Sequence, residues 1–149
     1  MYSNILNIIK NFLPFSDPFL FVDKILFVNE KKIEGKFYFN KNFSFYNGHF
    51  KDKPLTPGTI QIETMGQYCV THIIYNLIQN NENPNLYEYK GANVNFDFFK
   101  PIFPDTEVFV ECNLLYKKLN VYKYDCFLKE LISNELYSAG QISIILTNK

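Results

Sequence analysis

The chain has no tryptophan, only three cysteines among 149 residues and no excess of either charge, with fifteen basic and fifteen acidic residues. Each shortage narrows the function. A formal net charge of zero supplies no overall field towards nucleic acid or an anionic membrane, although a local patch stays open. Cys69, Cys112 and Cys126 are odd in number, far apart in sequence and without a C-x-x-C pair, so neither a disulfide framework nor a zinc site is indicated. A reducing cytoplasm fits best. No stretch of about twenty uninterrupted apolar residues occurs, so no bilayer-spanning helix is expected. The first ten residues lack a basic start, a continuous apolar run and a small-residue cleavage site, and are not expected to be a signal peptide. Repeats, low-complexity linkers and charge blocks are missing too. Residues 1–149 therefore read as a single domain, long enough to bury a core.

What is plentiful is apolar and aromatic surface, with 47% hydrophobic residues, 16 Phe and 11 Tyr. Ile5, Leu6, Ile8, Ile9 and Phe12 recur at helical spacing before Pro14, which predicts a short amphipathic helix over residues 4–11. The run from Phe19 to Val28 reads as a mostly buried strand. Ile33, Gly35, Phe37 and Phe39 alternate with polar or exposed partners, the period of a strand with one face on a core. A long helix is expected from Pro57 to about Gln79, with Thr56 as its cap and Ile62, Met65, Cys69, Val70, Ile73 and Leu77 giving a broad apolar face. Strand-sized segments follow at Leu86–Phe99, Glu107–Tyr116, Val121–Ile132 and Leu136–Thr147, separated by turn residues. One enclosed helix with about six antiparallel strands is an α+β layout.

The stretch that carries chemistry runs from Asn47 to Glu63. It places His49 in a loop that feeds the long helix, Gly58 in the first helical turn and Glu63 about two turns in. The N–H groups of a first turn have no intrahelical acceptor and sit at the positive end of the helix dipole. A carboxylate on a helix this apolar is costly to bury without a role. Fourteen positions separate His49 from Glu63, and sequence distance alone does not make them neighbours. The second histidine, His72, lies further along the helix with no titratable partner in view and reads as structural, as does Cys69.

The sequence resembles the β-hydroxyacyl-acyl carrier protein dehydratases of the FabZ type, which have the hotdog fold. Four pieces carry the resemblance: Leu13-Pro14 with Pro18 to Asp23; Gly48-His49-Phe50 with Pro54; Pro57-Gly58 with Ile62-Glu63 and Gln67; and Phe99-Lys100-Pro101 with Pro104. The resemblance implies a long central helix wrapped by an antiparallel sheet, and dehydration of 3-hydroxyacyl thioesters in fatty-acid, polyene or polyketide synthesis. It implies His49 and Glu63 as the catalytic pair, meeting across a homodimer interface, with a trimer of dimers as a larger assembly left open. It also implies the Gly58 N–H as the donor to the thioester carbonyl and Gln67 as support for Glu63. No metal and no cofactor is required. Phe96, Phe98 and Phe99 are candidates for an acyl tunnel or for plain core. Lys51, Lys53 and Lys100 are candidates for docking an acidic acyl carrier protein, against the plainer reading as solvated lysines.

The chain departs from the family at Lys51-Asp52-Lys53, where Pro-Gly-Arg is usual, so a less rigid loop is expected there. Phe15 stands where a histidine is common, and Thr56 where a methionine is common. Two competing functions remain at this stage: a hotdog acyl thioesterase, and a non-catalytic subunit of a heteromeric dehydratase.

Overall fold

A computed structural model describes residues 2–149. Helix α1 (Tyr2–Lys10) leads into a hairpin of β1 (Lys24–Val28) and β2 (Lys32–Phe39); a 3-10 turn at Ser44–Asn47 precedes α2 (Gly58–Gln79). After a second 3-10 turn at Pro84–Leu86 come β3 (Tyr87–Phe98), β4 (Thr106–Lys118), β5 (Val121–Glu130) and β6 (Leu136–Asn148). The six strands form one antiparallel sheet in the order β1-β2-β4-β5-β6-β3. This is the expected α+β hotdog architecture: a long helix lying in the concave face of a six-stranded sheet.

The sheet takes its register from alternation. Ile33, Gly35, Phe37 and Phe39 of β2 all face inward, and Phe37 stands opposite Val108 while Val110 stands opposite Leu128. Burying a large apolar side chain of this kind contributes about 1.5–3 kcal/mol, so a one-residue slip would expose the whole row. Met65, Tyr68, Cys69, Ile73, Ile74 and Leu77 of α2 pack against that face and are almost fully buried. Gly35 is required by this contact, because a Cβ there would overlap the Tyr68 ring and the Lys24 carbonyl. Tyr68 itself crosses the sheet edge, its hydroxyl 2.7 Å from the Lys36 carbonyl oxygen and 3.0 Å from that of Lys24. Two buried threonines of α2 are satisfied locally: Thr64 donates to the Ile60 carbonyl and Thr71 to that of Gln67, both at 2.8 Å.

Two expectations are corrected. The strand foreseen from Phe19 begins only at Lys24; residues 19–23 are irregular, with only Phe21 and Val22 buried. Their backbone bonds go to a side chain instead of a neighbouring strand, the Phe21 N–H donating to Gln67 Oε1 at 2.7 Å and Gln67 Nε2 donating to the Phe19 carbonyl at 3.0 Å. Thr56 does not cap α2. Pro57 occupies that position without a side-chain cap, and the Thr56 hydroxyl is instead 2.5 Å from the Tyr46 hydroxyl.

His72 sits fully buried, as its structural reading expected. Its Nε2 donates to the Asn29 carbonyl at 2.8 Å, since a carbonyl can only accept, and its Nδ1 therefore accepts from the Tyr124 hydroxyl at 2.7 Å. Burial pulls the imidazole down from 6.5 to about 4, against smaller opposing contributions from the Asn29 bond and Glu30. The ring thus stays neutral in the folded chain at pH values where the unfolded chain protonates it. Stability is full above pH 6.5 and falls as the pH drops towards 4, by about 3 kcal/mol across that window. Denaturant melts over this range check it: the His72→Gln chain should lack this part of the slope.

Candidate active site

The loop before α2 is closed by its own backbone. The Leu55 N–H donates to the His49 carbonyl at 2.8 Å, while inside it Phe50 and Lys53 exchange bonds of 2.9 and 3.3 Å. These reciprocal bonds close the turn around Lys51 and Asp52, where the family's usual proline and glycine are missing. His49 follows the 3-10 turn, and its N–H donates to the Phe45 carbonyl at 3.1 Å. Its Nδ1 lies 3.0 Å from the Leu55 carbonyl oxygen. The carbonyl accepts, so Nδ1 carries the hydrogen of the neutral ring and Nε2 keeps its lone pair. The Phe50 ring stacks on the imidazole, with centroids 3.9 Å apart and planes at 29°.

Beside this half-buried imidazole the helix begins. The Thr56 N–H donates to the Ile102 carbonyl at 2.9 Å, which ties the start of α2 to the segment after β3. Gly58 is the first helical residue, and the Phe98 ring approaches it so closely that a Cβ would meet Cζ at 2.8 Å. His49, Leu55, Gly58, Phe98 and Phe99 line a groove of about 400 Å³. It therefore holds an unprotonated imidazole nitrogen and the free N–H groups of a first helical turn, the ingredients for removing a proton next to a carbonyl and stabilising the negative charge that develops.

Glu63 lines a different groove. Gln67, one turn on, donates from Nε2 to Glu63 Oε1 at 3.0 Å, and its own buried amide is fixed by the Phe19 and Phe21 backbone. The carboxylate thus sits on a braced support. Its groove, of about 180 Å³, is walled by Phe15, Ile62, Gly66, Val70, Val94 and Ile142. Within one chain His49 and Glu63 do not share a cavity.

The remaining expected site residues divide. Phe98 and Phe99 border the His49 groove, whereas Phe96 packs over Gly140 against the core and is outside that lining. Lys51 and Lys53 stand exposed on the loop, with Lys53 5.9 Å over the Phe103 ring. Lys100 is engaged: its ammonium is shared by Glu130 and by Glu135 at 2.9 Å and lies 5.0 Å over the Tyr137 ring. Those two carboxylates push its pKa up. Gln61 was missed from the sequence. It borders the His49 groove almost fully buried, and its Oε1 has no hydrogen-bond partner among the described residues. A polar residue one turn into an apolar helix was the available signal.

Both grooves open beside β3, which forms one edge of the sheet. Tyr89, near the start of the strand, and Val94, just past its middle, border the Glu63 groove, and Phe98, at its end, borders the His49 groove.

Comparison with known proteins identifies the family. A FabA-like domain model matches residues 13–130. A 3-hydroxyacyl-acyl-carrier-protein dehydratase FabZ from Acinetobacter baylyi is 33% identical over 79% of this chain and 79% of its own length. One from Ehrlichia canis is 32% identical over 95% of this chain and 94% of its own. Among solved structures, the dehydratase heterocomplex ApeI:P from Xenorhabdus doucetiae matches with a TM-score of 0.75 at 16% identity, covering 95% of this chain and 91% of that one. A mutant thioesterase from Pseudomonas aeruginosa matches at 0.69 and 10% identity, covering 100% and 95%. At such identities the two structures speak for the fold alone.

Proposed function

The chain belongs to the FabA-like family, and from that membership we propose that it removes water from 3-hydroxyacyl thioesters carried on acyl carrier protein, with His49 and Glu63 as the catalytic pair. The observation that carries this assignment is the bond from His49 Nδ1 to the Leu55 carbonyl, which leaves Nε2 as the basic nitrogen of a ring that lines the same groove as Gly58. His49 takes the C2 proton, the Gly58 N–H steadies the enolate-like oxygen, and Glu63, oriented by Gln67, assists departure of the C3 hydroxyl. Residues 1–149 act as one domain in a reducing, cytoplasmic setting, and no helix is long and apolar enough to cross a membrane among the described residues.

A complete site needs two chains. The two-fold axis of a homodimer sets identical edges side by side, and two β3 strands paired this way run antiparallel. The first part of one β3 then lies against the end of its partner's, so the Glu63 groove of one chain faces the His49 groove of the other. The long unpaired edge supports the same arrangement, because exposed backbone donors and acceptors favour strand addition. A trimer of such dimers is compatible with it. An acidic carrier protein would dock near Lys51 and Lys53; Lys100 contributes less because two carboxylates already balance it.

The acyl chain follows the apolar Glu63 groove, with Phe98 and Phe99 at the other side of the composite site. Phe15, in place of the family's usual histidine, makes this wall apolar. Gly66 offers a test of chain length. A Cβ there would have Ile142 Cδ1 at 3.8 Å, ordinary contact, so the backbone admits a side chain, and Gly66→Leu, checked for folding by its thermal melt, should fill the groove. Turnover of a long acyl chain should fall about 10-fold or more while a short one is retained.

The direct experiment supplies the purified chain with 3-hydroxyacyl-carrier protein and follows loss of water by mass spectrometry. An enoyl product supports the proposal. Free thiol without an enoyl intermediate would point to thioester hydrolysis, and inactivity until a second subunit is added would point to a non-catalytic role.

A further inference from the structure

Gln61 is a buried polar side chain for which the reaction described above has no task. It follows Gly58 by three residues on α2, so it lies on the same face of the helix one turn further in, and it lines the His49 groove. Only 4% of it is exposed, and its Oε1 has no hydrogen-bond partner among the described residues. A carboxamide oxygen buried without a donor costs stability that an apolar side chain of the same shape would not. The neighbouring polar groups are already engaged. The Thr56 hydroxyl pairs with that of Tyr46, His49 Nδ1 with the Leu55 carbonyl, and the Lys100 ammonium with Glu130 and Glu135. Apart from His49 Nε2, which serves as the base, Gln61 Oε1 is the unclaimed side-chain acceptor of this groove.

We propose that the Gln61 carboxamide receives the hydrogen of the substrate's C3 hydroxyl, a role that rests on the dehydratase reading above, and that it thereby selects hydroxylated substrate and aims the leaving group. In that reaction the C2 proton passes to His49 Nε2 and its electron pair becomes the C2=C3 double bond. The C3–O bond breaks, and the oxygen leaves as water with a proton from Glu63. Gln61 forms and breaks no covalent bond. A hydroxyl that offers a lone pair to Glu63 has to direct its own hydrogen elsewhere, and the Gly58 N–H, itself a donor, cannot take it. A carboxamide oxygen can.

Placement and mobility agree with this role. Three helical residues rise about 4.5 Å, comparable to the span between a thioester carbonyl oxygen held at Gly58 and a hydroxyl two carbons along the acyl chain. The missing partner leaves Oε1 without a restraint on the last torsion of the side chain, which is broad and roughly two-fold, so the carboxamide can turn its oxygen into the groove. After C–O cleavage the same oxygen holds the departing water.

Gln61→Met keeps the length of the side chain and removes its polar atoms. Because the oxygen it replaces is unpartnered, the variant should melt at the wild-type temperature or higher and dimerise as strongly in sedimentation. Two unreactive pantetheine amides of equal length, one 3-hydroxyacyl and one plain acyl, read the hydroxyl contact by calorimetry. Preference for the hydroxylated one should fall about 5-fold to 10-fold from wild type to variant, with a similar loss in kcat/KM on 3-hydroxyacyl-carrier protein. An unchanged preference overturns the proposal. So does a lowered melting temperature or a weaker dimer, because the carboxamide then has its partner within the chain or in the second subunit. Failure of the dehydratase reading shows separately, as absence of enoyl product from the wild-type chain.

Discussion

His49→Ala should lower dehydration roughly 100-fold to 10,000-fold, with the melting transition almost unchanged. The size follows from the chemistry. A proton on the carbon next to a thioester is weakly acidic, and water is a poor substitute for a base held beside it. The small effect on stability follows from the position, because the imidazole is half exposed and its one bond, to the Leu55 carbonyl, duplicates the backbone closure from Leu55 to His49. Glu63→Gln should cost a comparable factor, since glutamine keeps the hydrogen bond with Gln67 but cannot give or take a proton. Steady-state rates on a carrier-bound 3-hydroxyacyl substrate, set beside thermal melts, measure both. Near-normal turnover in the two variants would sink the assignment.

The second large effect is a gain. His49→Ala and Glu63→Gln chains, each inactive alone, should recover activity when refolded together. Random pairing makes half of the dimers hybrid, and every hybrid holds one site with both groups intact and one with neither. About one quarter of wild-type activity is expected, far above either variant. A site contained in one chain gives no such rescue. Two affinity tags, one on each variant, would isolate the hybrids, and inactive hybrids would refute the shared site.

Much of this was legible in the residues. The long helix followed from its apolar face and its proline-glycine start, and β2 from strict alternation of Ile33, Gly35, Phe37 and Phe39. The His49 to Gln67 spacing carried the family. What stayed hidden depended on partners remote in the chain. Residues 19–23 look like a strand because they are apolar, and the Gln67 amide that replaces their ladder lies 46 and 48 positions away. Thr56 has the right chemistry for a cap, but the nearby Tyr46 hydroxyl claims it. The tautomer of His49 depends on the carbonyl of Leu55, reached only once the loop has closed. The meeting of the three cysteines in the core was half visible: Cys112 and Cys126 stand seven positions either side of Leu119, so a hairpin turning there sets them opposite each other. Only the packing of α2 onto that hairpin brings Cys69 beside them.

The free edge at β3 has a meaning for the life of the chain before any substrate arrives. Its twelve residues present a row of backbone groups broken by one irregularity between Gly91 and Asn93, with Val94 and Phe98 more than half exposed beside them. A newly folded monomer is thus a template for any extended segment it meets, including misfolded copies of itself, and aggregation competes with correct pairing until the edge is covered. In the proposed homodimer, the encounter that completes the two grooves would also remove this hazard. Quality control and activation would then be a single step.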